Sequence, residues 1–398
     1  MFSSLKVRNF RLYWFGMLIS LVGTWIQTIA QSWLVFSLTN SAFLLGVVGF
    51  LGAIPVFLLS LFGGVLADRI DKKKIILITQ ITFMALAFIL AGLTQFKLIT
   101  PLQIMFIALL NGTVMAFDAP ARQSVVIELA GKQHLMNAIA LNSAAFNSAR
   151  IIGPALAGIL ISIIGMSGCF YINGISFIAV IISLLLIKNN PISKPAKSGV
   201  LISDLLEGLR FIAGSRVILI LISMVGVTSL FGISYVILMP VFANNVLKVG
   251  ASGLAMLMSC AGLGALLAAL MLARLGDFKY KGKLMIISSI IFSCALILFS
   301  VSKTYQLSLL MLIVIGWSSV TAISLVNNSL QILVPDAFRG RIMSFFMFTF
   351  AGFMPFGNLL AGSLAQVWGV GLTVMLSGII CLIFFLCVNS FCPEIKRL

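Results

Sequence analysis

Twelve apolar runs, each nineteen residues or longer, follow one another along the chain, separated mostly by short polar connections. They lie at 12–38, 42–66, 75–95, 101–121, 137–163, 169–187, 217–241, 251–273, 284–302, 306–331, 342–367 and 371–391. Crossing a bilayer takes roughly 20 predominantly apolar residues in a helix. Hydrophobic residues make up 61% of the 398 positions and charged residues 9%, against about half and about a quarter in soluble domains. Within hydrocarbon every backbone N–H and C=O must be satisfied by the chain itself, so runs of this length fold as helices. The pattern predicts an all-α polytopic membrane protein whose first span is long enough to be retained rather than cleaved as a signal peptide.

The basic residues set the orientation. Of 26 lysines and arginines, 22 fall in the termini and in alternate connections on one side. Only Lys97, Lys248 and Lys303 fall on the other, and Arg150 lies inside a span. The positive-inside rule then places both termini in the cytoplasm. The formal charge of +17 is therefore a topology signal, and the sequence lacks the basic binding motif a nucleic-acid partner would require.

Twelve spans divide into halves. The longest polar stretch carries Pro191, Pro195 and Gly199 before an amphipathic segment from Ser203 to Ile212. The predicted organisation is a six-helix bundle over 1–187, a cytoplasmic linker with a surface helix over 188–216, and a second six-helix bundle over 217–398. Internal similarity supports the duplication: aligning Asp68 with Asp277 sets Lys72 and Lys74 against Lys281 and Lys283, and Ala42 against Ala251. In a second register Gly158 and Gly165 match Gly362 and Gly369.

The connection from Gly63 to Lys74 reads Gly-Gly-Val-Leu-Ala-Asp-Arg-Ile-Asp-Lys-Lys-Lys. Small residues at Gly63, Gly64 and Ala67 favour close helix approach, and Asp68 and Arg69 place opposite charges where the chain leaves the hydrocarbon. This segment resembles the loop between helices 2 and 3 of major facilitator superfamily transporters. Asn137 to Ser143, Arg150 to Gly158, Phe117 to Gln123, Gly23 to Gln27 and Pro335 to Arg341 resemble the enterobactin-exporter-like and macrolide-efflux-like branch of that superfamily. The resemblance covers essentially the whole chain. It implies two pseudo-symmetric bundles that rock about a central site, in the cytoplasmic (inner) membrane of a bacterium. It also implies a conformational clamp at Gly64, Asp68, Arg69, Asp118 and Arg341, with Asp68 meeting the start of the eleventh span near Arg341 and Arg69 linking Asp68 to Asp118. The chain departs from its relatives at Ala108, where many proton-driven members carry arginine, in the acid-free middle of the first span, and at Phe278, which aligns with Arg69.

Arg150 is the most unusual residue. Counted from Asn137 at about 1.5 Å per residue, it lies roughly 20 Å into its span, where a charge needs a partner or water. Ser143, Asn147, Arg150 and Pro154 share one face. Two roles remain open for Arg150: attracting an anionic group of a cargo, or a structural one satisfied by helix carbonyls and Asn147. Polar stripes mark two further spans: Ser20, Thr24, Gln27, Thr28 and Gln31 in the first, and Trp317, Thr321, Ser324, Asn328 and Gln331 in the tenth. The residues expected to touch substrate are thus Thr24, Gln27, Gln31, Asn147, Arg150, Trp317, Thr321 and Asn328. Asp118 is the acidic residue inside a span and the candidate for proton coupling, although Arg122, one turn later, is an equally good permanent partner. Glu128, Glu207 and His134 read as solvated.

Six scattered cysteines show no metal-ligand spacing, and no phosphate-binding loop or nucleophile motif is present, so neither an enzyme nor a cofactor is expected. The resemblance implies a secondary exporter of an amphipathic small molecule, a siderophore or drug, driven by a proton gradient and acting as a monomer. An importer, a lysolipid or lipid translocator, and a transporter-like sensor are the other readings.

Overall fold

The computed structural model describes residues 3–187, 201–276 and 278–396. Among them every regular element is helical. The first half holds α1 (Arg8–Thr39), α2 (Ala42–Arg69), α3 (Lys72–Gln95), α4 (Pro101–Ala130), α5 (135–164) and α6 (166–186). The surface helix α7 (Leu201–Gly214) follows, then α8 (Arg216–Val246), α9 (Gly250–Leu275), α10 (Lys281–Val301), α11 (Tyr305–Leu333), α12 (Asp336–Trp368) and α13 (Val370–Phe391). Apart from α7, these are the twelve expected spans, several extended by a turn or more beyond their apolar run.

Local chemistry marks the ends. Thr100 and Gln103 form a reciprocal capping box with Pro101 in the first turn of α4. Asp71 caps α3 by accepting the amide of Lys73. Asn40 closes α1 in the left-handed region at φ 46°. One uninterrupted helical stretch, Leu135–Leu186, is 52 residues long, too long for one crossing; Gly165, at φ 73° and ψ −179°, breaks it into α5 and α6. More than half of α8, from Thr228 on, is irregular, with π-helical turns at Thr228–Gly232 and Phe242–Val246 on either side of a 3₁₀ stretch. Pro240, which supplies no N–H, falls inside it.

The chain forms two compact units. The first takes its described residues from Met1–Asn40, Leu51–Ala196 and Gly250–Ser259; the second takes them from Ser41–Phe50, Lys197–Val249 and Cys260–Leu398. Phe10, Tyr13, Ile76, Ala121, Val125 and Val180 centre the core of the first. Leu221, Met285, Leu330, Ile342 and Phe385 centre that of the second. Large apolar side chains such as Ile78, Phe106 and Ile163 are more than half exposed, the outer surface expected of helices solvated by lipid tails.

The duplication is expressed in backbone packing. The register that sets Ala42 against Ala251 also sets Gly52 against Ala261 and Gly46 against Ala255, while the register pairing Gly158 with Gly362 also pairs Gly112 with Gly316. In the first unit Gly112 of α4 lies on the carbonyl of Gly52 in α2, and in the second Gly316 of α11 lies on the carbonyl of Ala261 in α9. Likewise Gly362 of α12 meets Gly46 of α2 in the second unit, and Gly158 of α5 meets Ala255 of α9 in the first. A side chain at any of these four α4, α5, α11 and α12 glycines would overlap the facing helix, so only glycine permits such close approach.

Candidate transport site

The polar residues of α1 divide into two sets. Gly16 and Gly23 let α6 come close, and Gln27, 9% exposed, accepts a 2.7 Å hydrogen bond from the buried Asn173 of α6. Gln27, expected to touch substrate, is instead committed to the helix pair, because an amide buried in an apolar bundle pairs with the nearest other amide. Thr24 and Thr28 are exposed and turn their hydroxyls back to the carbonyls of Ser20 and Thr24; Gln31 is half-buried.

The faces of α5 follow from its packing. Trp14 of α1 donates to the carbonyl of Leu141, and Gly153 receives the Cβ of Trp25. On another edge, Gly158 meets Ser252 and Ala255 of α9, and Ser259 lies 3.4 Å from the carbonyl of Ile151. Ile152, Ile159 and Ile163 are exposed together on one side. Opposite them, Ile139, Ser143, Phe146, Arg150, Pro154 and Ala157 fall within about 80° of arc at 100° per residue. Pro154 and Ala157 are buried, whereas Ile139, Ser143 and Phe146 are exposed and Arg150 is partly exposed. The stripe is therefore closed at its Pro154–Ala157 end and open from Ile139 to Phe146. Asn147 bonds the carbonyl of Ser143 rather than Arg150. Among the described residues Arg150 makes no ion pair or hydrogen bond.

Asp118 has the opposite character. It is fully buried, pairs with Arg122, and accepts hydrogen bonds from Thr79 (2.6 Å) and Gln80 (3.0 Å) of α3. Arg122 also reaches the sulfur of Met17 at 2.8 Å, so the cluster joins α1, α3 and α4. The expected link from Arg69 to Asp118 is not formed. Arg69 is exposed at the end of α2, and Asp118 points at α3, whose hydroxyl and amide already occupy it.

The other clamp residues are placed as follows. Gly63 lies on the carbonyl of Ala116 in α4, as a close-approach glycine should, but Gly64 faces open space and does not serve that purpose. The side chain of Asp68 lies outside those described. Arg341 donates a 2.7 Å hydrogen bond to Glu207 of α7, so Glu207 is not merely solvated. Glu128 is likewise paired, with Lys72 at 2.6 Å.

In the second unit, α11 keeps Ser324 and Asn328 exposed and Trp317 half-buried. Thr321 is fully buried and donates to the carbonyl of Trp317, which withdraws it from any open surface. Gln331 donates to Asn327 at 2.6 Å.

Twelve spans in two duplicated units, each with a polar stripe, define a membrane transporter of the major facilitator type rather than an enzyme. The chain belongs to the transmembrane secretion effector family, whose sequence profile matches residues 1–397. It is 30% identical over 363 residues to the staphyloferrin A transporter of Staphylococcus aureus (strain NCTC 8325 / PS 47), covering 90% of each chain. It is 26% identical over 341 residues to the enterobactin exporter EntS of Shigella flexneri, covering 84% of this chain and 79% of that one. The multidrug efflux pump Tap of Mycolicibacterium fortuitum is 22% identical over 394 residues, with 96% and 95% covered. Among solved structures, a bacterial homolog to the human lysosomal transporter Spinster superimposes with a TM-score of 0.77 over 98% of both chains at 12% identity. A D-xylose–proton symporter gives 0.77 over 97% and 99% at 14% identity. At such identities these structures speak for the fold alone.

Proposed function

We propose that this transporter exports an amphipathic, negatively charged small molecule of the siderophore or drug kind from the cytoplasm by alternating access, driven by a proton gradient. The observation that carries this reading is Arg150, a cation on the half-open stripe of α5, which we read as its inner face, with no protein counter-charge among the described residues. An intramembrane arginine is costly unless a partner or water meets it, and an anionic cargo supplies that partner. Thr24 and Thr28 on α1, Asn147 on α5, and Trp317, Ser324 and Asn328 on α11 supply the few polar contacts that orient a largely apolar cargo. The relatives named for staphyloferrin A, enterobactin and drugs support cargo of this class.

The clamp, in this reading, pairs Asp68 with the start of α12 when the cytoplasmic side is closed, since an acid is stabilised near a helix N-terminus and Arg341 stands there. Asp118 serves the fold rather than the proton, because its oxygens are already occupied by Arg122, Thr79 and Gln80. The positive-inside distribution supports cytoplasmic termini in the inner membrane.

The test is flux in proteoliposomes under an imposed pH gradient, with an anionic catechol-type compound and a neutral macrolide. Gradient-dependent movement of the anion that Arg150→Gln abolishes is the expected result. Anion flux unchanged in Arg150→Gln removes the cargo role of Arg150, and flux of neither compound removes the exporter reading in favour of a lipid carrier or sensor.

A further inference from the structure

We infer that Trp25 and Phe146 form an aromatic-ring subsite beside Arg150, so that the cargo carries its negative charge on or next to an aromatic ring; this rests on the reading of Arg150 as the anion-binding residue. Phe146 and Arg150 are one helical turn apart on the half-open stripe of α5, the spacing at which two side chains cover adjoining surface. Phe146 is 48% exposed there, although the opposite side of the same helix is available for large apolar groups. Its ring meets the indole of Trp25 edge-on, at 6.0 Å between centroids and 67° between planes. That partner is fixed from behind, because Gly153 leaves the Cβ of Trp25 seated against the backbone of α5. On the same stripe of α5 the exposed neighbours are Ser143 and the aliphatic Ile139, and beside Trp25 on α1 stand the exposed hydroxyls of Thr24 and Thr28, so Trp25 and Phe146 are the aromatic pair of a surface that is partly polar and partly aliphatic.

The chemistry of the three side chains is complementary to one ligand class. A guanidinium engages a carboxylate or phenolate through a planar fork, and an adjoining pair of rings set edge-to-face accepts a third ring in the same offset or T-shaped geometry. An aryl carboxylate or a catecholate presents both features within one rigid group, whereas an aliphatic polycarboxylate presents only the charge. Phe146 is then the residue that distinguishes these two kinds of anion, and Arg150 the residue that holds both.

The test is calorimetric binding to the full chain in lipid nanodiscs, with a metal-free tris-catecholate siderophore and a metal-free citrate-based siderophore as probes. Phe146→Leu keeps an apolar group of similar bulk at an exposed position and so leaves folding intact. It is expected to weaken the tris-catecholate by about five- to tenfold while changing the citrate-based probe by less than about twofold. Arg150→Gln is expected to weaken both by about tenfold or more. Equal effects of Phe146→Leu on the two probes, or none on either, overturn the aromatic subsite; if Arg150→Gln still weakens both, the anion reading stands without it. Wild-type protein that binds neither probe overturns both.

Discussion

Arg341 at the start of α12 donates a 2.7 Å hydrogen bond to Glu207 of the surface helix α7, and its guanidinium lies 5.5 Å above the ring of Phe338. Phe338 in turn stacks on Phe211 of α7 with centroids 4.6 Å apart and planes 12° from parallel. The residue expected to serve the clamp is thus tied to the helix that follows the polar stretch between the halves. Arg341 and Glu207 are 31% and 55% exposed, so the ion pair is screened and contributes at most about 1 kcal/mol. The stacked rings contribute more. Thermal unfolding in detergent should show Phe338→Ala losing about 1–2 kcal/mol and Glu207→Gln less than half as much; the reverse order would make the ion pair the main attachment of α7.

Asp118 provides a sharper contrast between structure and chemistry. Asp118→Asn leaves Arg122 without its counter-charge in a buried cluster, and should destabilise the protein by about 3–5 kcal/mol. The double variant Asp118→Leu with Arg122→Met, which removes both charges, should recover most of that loss. Denaturant or thermal unfolding of the three proteins measures it. A stable Asp118→Asn variant that has lost only its response to the pH gradient would instead make Asp118 the proton carrier.

Gln27 and Asn173 should behave as a packing pair. Gln27→Ala strands the amide of Asn173 in an apolar interior at about 1–3 kcal/mol. Its selectivity between anionic and neutral compounds should remain that of wild type, and a changed selectivity would return Gln27 to the cargo surface.

The adjoining glycines of the α2 terminus separate by packing. Gly63→Ala would drive a methyl group into the backbone of Ala116 and should cost about 1–3 kcal/mol. Gly64→Ala meets open space and should leave folding unchanged within about 0.5 kcal/mol, apart from the small gain alanine brings to a helix interior. Expression and unfolding temperature of the two variants decide between them.

Much of the fold was legible because its determinant is one-dimensional. A span is a length of apolar chain, and α2, α4 and α13 start within one residue of where theirs begins, although α4 runs on past Arg122 and Glu128 to Ala130. The amphipathic helix was likewise visible in the pattern from Ser203 to Ile212, and structure shows it as α7. The break between α5 and α6 was bracketed by run length, although helical hydrogen bonding continues to either side of Gly165. The polar residues were less legible. Gln27, Thr24 and Thr28 sit in one stripe by spacing, yet Gln27 lies about 60° around α1 from Thr24 and about 100° from Thr28, which turns it onto Asn173 and leaves both threonines open. Trp25 and Phe146 carry nothing in spacing or composition that marks them as a pair among so many aromatic residues. Only the exposure of Phe146 on the half-open stripe and its contact with Trp25 distinguish the pair.

The sequence by itself determined that this chain is a duplicated bundle of twelve membrane-spanning helices and that its basic residues gather in alternate connections, because transfer into hydrocarbon and charge at its boundary act on each segment almost independently. Tertiary structure decided which polar groups are consumed in holding helices together, as Asp118, Gln27 and Thr321 are, and which remain open, as Arg150 does. That choice depends on how each helix is rotated about its axis and on glycines such as Gly112 and Gly153 that set how near two backbones come. Neither quantity is carried by any single segment, since both arise only when one helix finds the surface of another.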